Sequence, residues 1–171
     1  MSIETLGLFF PLILGIHNAE EYLRYHDFVR PHHRRIPGRF LSRPVIRNAA
    51  VFLTLVAAVV CVLAWLRGTE LLSRVVVAST VALALNALGH VGMTMMQRTV
   101  MPGTVSAVAL VLPYSVCVIV MFRASTEASW ASLLGMAGLG LLLIPASVAV
   151  FLLLGYAAML LEQRFRGTPD V

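Results

Sequence analysis

From residue 130 to residue 161 the chain runs for 32 residues without one charged side chain. A bilayer core is crossed by about 20 apolar residues, and hydrocarbon offers no partner to a backbone N–H or C=O. A stretch like this has to be helical, because only a helix satisfies its own backbone within one segment. Four more segments are long and apolar enough to span, or nearly so, at 5–28, 45–66, 71–97 and 105–122. Hydrophobic residues make up 59% of the 171 and charged ones 12%, which excludes an ordinary soluble domain. The reading is all-α: a polytopic membrane helical bundle of about five transmembrane helices, forming a single integral membrane domain over 1–171. The last segment exceeds what a bilayer requires, so it must tilt, bend at Pro145 or project from the membrane.

Charge sets the expected direction. All 13 basic residues are arginine, and the net charge is +5. Arg30, Arg34, Arg35, Arg39, Arg43 and Arg47 fall in the connection between the first two helices, with Arg24 just before it. Positive charge marks the cytoplasmic side, so this loop is expected inside. Alternation then puts ten arginines inside against three outside, Arg67, Arg74 and Arg123. The expected arrangement is a multi-pass protein of the cell membrane, N-terminus outside and C-terminus cytoplasmic. The basic residues serve topology and anionic headgroups, and no nucleic acid is expected as partner. Cys61 and Cys117 lie inside apolar runs and read as packing residues, not as a disulfide. The N-terminus lacks a signal-peptide pattern, so the first span is expected to remain. An odd number of helices without a visible repeat argues against a transporter of inverted halves.

The first helix raises the chemical question. It carries "HNAEEYLR", and residues three and four apart share a helix face, so His17, Glu20, Glu21 and Arg24 lie together. A carboxylate near the bilayer centre costs roughly 2.5–3.5 kcal/mol, and adjacent ones repel, so the pair needs a cation or a proton. The third helix offers Asn86 and His90, again four apart. Counting inward from the cytoplasmic ends places His90 roughly 10 Å deep and His17 roughly 16 Å, with the glutamates between. The clusters can therefore meet in the cytoplasmic half. The same counting puts Tyr114 and Thr54 near that level. His, Glu and Asn are ligand types for a borderline divalent ion, zinc or iron foremost.

Each feature also has a plain structural reading. Glu20 and Arg24 suit an interfacial ion pair, and Asn86 and His90 suit interhelical hydrogen bonds. His26, His32 and His33 belong to the arginine-rich loop and are expected near water or lipid phosphate. Met93, Met95 and Met96 read as packing. The glycines of "GMAGLG" read as helix-contact positions. The coincidence of five polar groups on two helices at matching depth favours a functional site.

With "HNAEE", "NALGH" and the segment "RTVMPGTVSA" in this order, the chain resembles the HXXEE-domain integral membrane proteins from about Leu6 to Phe122. The resemblance carries over His17, Glu20, Glu21, Asn86, His90, Pro102 and Gly103, and implies a suspected metal dependence. Pro102 and Gly103 also suit a tight connection after the third helix.

The expected function is a membrane-embedded, metal-dependent enzyme acting on a lipophilic small molecule, by hydrolysis or by an isoprenoid or lipid transformation. His17, Glu21 and His90 are expected as metal ligands, Glu20 as general base and Asn86 as an orienting or polarising group. The histidine count argues against a diiron oxygenase. The alternative is a small transporter, or a cation- or proton-binding membrane protein, using the same buried acids. A purely structural subunit is the third reading.

Overall fold

The computed structural model describes residues 2–32, 42–126 and 128–166, all outside strands. The arginine-rich stretch 33–41 lies outside these residues, as do the side chains of 25–32. The expectations for Arg30, Arg34, Arg35, Arg39, His26, His32 and His33 therefore fall outside the described side chains.

Seven α-helices and one π-helical turn follow one another. The expected first span is divided into a short α1, Ile3–Gly7, and a long α2, Phe10–His32. Pro11 accounts for the break, since it has no N–H to give to the preceding turn and its ring crowds the carbonyl four residues back. Ser2 caps α1, accepting from the Thr5 amide at 3.2 Å. Ser73 of the third span donates to Glu4 at 2.8 Å and ties α1 to it. The Glu4 backbone amide and this hydroxyl hold its carboxyl below the usual carboxylate range.

Helix α3, Arg43–Arg67, opens with Pro44 in its first turn and stops at Gly68 in the left-handed conformation (φ 58°). Thr69 then caps α4, Glu70–Gln97. After the turn at Pro102–Gly103, the fourth span is compound: α5 Thr104–Ser106, a π-turn Ala107–Val111, and α6 Leu112–Thr126. Proline at 113 cannot donate, and the wider turn ahead of it absorbs the missing bond. Helix α7 runs unbroken from Trp130 to Arg166 with Pro145 inside it.

Four of these helices are long and apolar enough to cross a membrane: Arg43–Arg67, Glu70–Gln97, Thr104–Thr126 and Trp130–Phe165. Helix α2 has spanning length but carries charged residues along it. The protein is an all-α membrane bundle. Helix α4 is its hub, touching α7, α6, α3 and the π-turn. Val76, Val77, Ala87, Ala107, Val111 and Val118 are fully enclosed around it.

Helix α7 passes from one neighbouring helix to another along its length. Gly140 lies against Ala82 of α4, whereas Gly155 lies against α3. A Cβ on Gly155 would run into the Val45 carbonyl and come within 2.9 Å of the Ala49 amide nitrogen, so only glycine permits this approach. Of the "GMAGLG" glycines, Gly135 and Gly138 have open space beside them and Gly140 alone meets a neighbouring helix. Cys61 is buried and Cys117 exposed, and both are free.

Candidate functional site

Helix α2 brings His17 into the bundle, where it is 1% exposed. Each ring nitrogen has a partner. Nδ1 stands 3.0 Å from Ser106 Oγ, and that hydroxyl gives its own proton to the Gly103 carbonyl at 3.2 Å. The imidazole therefore donates from Nδ1 and presents a lone pair at Nε2. Asn86 of α4 places its Nδ2 3.2 Å from this Nε2 and 3.2 Å from Nε2 of His90. The two rings meet edge to face, with centroids 5.2 Å apart.

Glu21 completes the group. Its Oε1 lies 2.7 Å from His90 Nε2 and 3.5 Å from His17 Nε2. One donor atom from each of His17, Glu21 and His90 falls within 4.8 Å of the others. Two nitrogens and a carboxylate oxygen are a ligand set for a divalent ion. The opening is on the Glu21 side, since that side chain is 35% exposed and His90 18%, against 1% for His17.

Glu20 faces elsewhere. Its Oε2 accepts from the Ser106 amide at 2.7 Å and its Oε1 from the Val105 amide at 3.2 Å. These amides belong to the first turn of the fourth span, where N–H groups have no partner within the helix. The carboxylate supplies that partner from a different helix and compensates the positive end of the dipole. Arg24 approaches it only to 4.0 Å. Serving as general base would require Glu20 to give up one of these bonds.

Gly103 forms the roof. Its φ is +83°, and a Cβ there would sit 2.9 Å from His17 Cε1 and 3.0 Å from Glu21 Cγ. The turn is pinned to α4 through Thr94, whose Oγ1 accepts from the Met101 amide at 3.0 Å and pairs with Thr104 Oγ1 at 2.8 Å.

The structure thus gathers His17, Glu21, Asn86 and His90 and turns Glu20 towards a helix start. Tyr114 departs from expectation: its hydroxyl donates to the Leu6 carbonyl at 3.2 Å, far from the histidines. The reason is register, because α2 continues to His32 and Ser106 already stands level with His17 and Glu20, so Tyr114 begins about 12 Å deeper. Thr54 has the right level but accepts from Asn18 at 3.2 Å, on another face of α2. Ser106 is the residue sequence reasoning missed. A signal existed in "PGTVS", where a helix starts without an acidic cap of its own.

Fold and site together define a small helical membrane protein with a partly buried His–Glu–His cluster closed by a proline-glycine turn. The chain belongs to the family described as "Protein of unknown function with HXXEE motif", which it matches over residues 8–118. No curated protein and no solved structure matches it.

Proposed function

We propose that His17, Glu21 and His90 hold a divalent metal ion, zinc or iron, in a membrane-embedded enzyme acting on a lipophilic small molecule. The observation that carries this reading is the convergence of three ligand atoms. Nε2 of His17, Nε2 of His90 and a carboxylate oxygen of Glu21 lie within 4.8 Å of one another, and an ion there would take the lone pairs that the Asn86 amide now faces. A cation satisfies all three at once. Ser106 keeps His17 in the tautomer that leaves Nε2 free, a common outer arrangement for ligating histidines. A bound ion supplies Lewis acidity and lowers the pKa of water, which suits hydrolysis or rearrangement of an ester, phosphate or isoprenoid. Asn86 orients the rings and offers an amide to a polar substrate group. Glu20 is the acid or base nearest the cluster once its hold on the Val105 and Ser106 amides is relaxed.

A second reading draws on one distance. The 2.7 Å between His90 and Glu21 is a charge-assisted hydrogen-bond length, whereas two ligands bonded at 2.0–2.1 Å to one tetrahedral ion stand about 3.3 Å apart. That favours a shared proton, and with it a small transporter or proton-binding protein using the same groups. In either case the ten-to-three arginine distribution supports an outside N-terminus, a cytoplasmic C-terminus and a site in the cytoplasmic half.

Elemental analysis of the full chain, purified in detergent without added metal, decides between them. About one zinc or iron per chain is expected, lost in Glu21→Gln and kept in Glu20→Gln. Metal-free protein that also leaves a cobalt(II) spectrum unchanged on titration overturns the metal reading and leaves the proton.

A further inference from the structure

Beside the cluster, on the opposite side of Ser106, α2 and the start of the fourth span part to leave an open groove of about 520 Å³. Its walls are apolar: Ile16 from α2, and Val105, Ala109 and Leu110 from the other side. Its remaining lining is Glu20, Ser106 and Arg24. The volume is that of a small-molecule pocket. An apolar lining with one polar end suits a single-chain amphiphile.

The polar end has a sign. Glu20 is committed, since its two oxygens take the Val105 and Ser106 amides and so neutralise the helix start. The Arg24 guanidinium reaches that carboxylate only at 4.0 Å and is half exposed. Among the described residues, Arg24 is the cation in the lining of this apolar groove, and guanidinium binds carboxylate or phosphate oxygens in pairs. The π-turn widens the wall: Ala107–Val111 includes Ala109 and Leu110, and such turns displace a helix face from its regular course.

We infer that this groove binds a single-chain amphiphile with an anionic head drawn from the bilayer, its head on Arg24 and its chain along Ile16, Ala109 and Leu110. The inference goes beyond the proposed metal centre and needs no ion in it.

The test uses the full chain in dodecyl maltoside with EDTA present, so a vacant metal centre cannot produce a negative result. The probe is stearate carrying a nitroxide near its methyl end, read by electron paramagnetic resonance as a motionally restricted fraction. Palmitate is expected to displace it at least tenfold more effectively than hexadecanol. Arg24→Gln is expected to remove that preference and Arg24→Lys to keep most of it, while Ala109→Phe, which fills the groove, removes the restricted fraction. Thermal melting confirms that each variant is folded, and Leu110→Phe replaces Ala109→Phe if the latter is not. A restricted fraction unchanged in folded Arg24→Gln and groove-filled protein means annular lipid only and overturns the inference. Displacement by zwitterionic lysophosphatidylcholine as effective as that by palmitate also overturns it.

Discussion

Two polar clusters join helices in this bundle, and they are built on opposite principles. Between α3 and α7, Arg47 donates to both oxygens of Glu162 at 3.2 Å and to Asn48 Oδ1 at 3.0 Å, while Asn48 donates to Glu162 at 3.4 Å. Donors there face acceptors and the charges cancel. Between α2 and α4 the arrangement is different, because one amide lies within reach of two imidazole nitrogens and one carboxylate oxygen contacts both of those nitrogens. A clamp is complete in itself. Three ligand atoms that converge on one point, as those of His17, Glu21 and His90 do, separate this cluster from ordinary interhelical glue.

The comparison breaks most sharply at the histidines. His17→Ala and His90→Ala lie on different helices, yet each is expected to lower metal affinity by about 100-fold or more, and the double variant to be scarcely worse than either single. Competition with a zinc-selective dye measures this. Additive losses would mean that the two rings serve separate purposes and that the cluster resembles the α3–α7 clamp after all.

Much of this was legible beforehand. Helical periodicity put His17 beneath Glu21 and Asn86 beneath His90, and depth counting brought the helices level. The four-residue spacing set Glu21 with His17, but the place of Glu20, about 100° away on α2, was not legible. What decides it is the start of another helix, whose amides take Glu20, and no pattern within α2 announces that. The break at Leu8–Phe9 was readable in Pro11 but was masked by the continuous apolar run around it. The level of Tyr114 was misjudged for a similar reason: apolarity marks where a helix can lie in lipid, whereas its neighbours determine how far it slides.

A smaller effect tests the roof of the site against a turn with no site beneath it. Gly68 and Gly103 both hold positive φ, 58° and 83°, but a Cβ at Gly68 meets nothing within 4 Å whereas one at Gly103 meets His17 and Glu21. Gly68→Ala is therefore expected to cost only the left-handed backbone term, about 1 kcal/mol, read by thermal melting in detergent. Gly103→Ala is expected to cost about 1–2 kcal/mol more through the contact and to weaken metal binding as well. Equal losses would show that the turn does not press on the cluster.

The smallest effect belongs to the clamp. Arg47 and Glu162 are each close to half exposed, at 49% and 42%, so solvent and competing headgroups screen their attraction. A double-mutant cycle with Arg47→Gln and Glu162→Gln is expected to give a coupling below about 1 kcal/mol, falling as salt is raised. Metal content should be the same in all four proteins of the cycle, because nothing in the clamp touches the histidines. Should either clamp variant also empty the metal centre, the two clusters would be one coupled system, transmitted through α3 and its Thr54–Asn18 contact beside His17. The convergence of His17, Glu21 and His90 would then be maintained by the α3–α7 clamp and would not be independent of it.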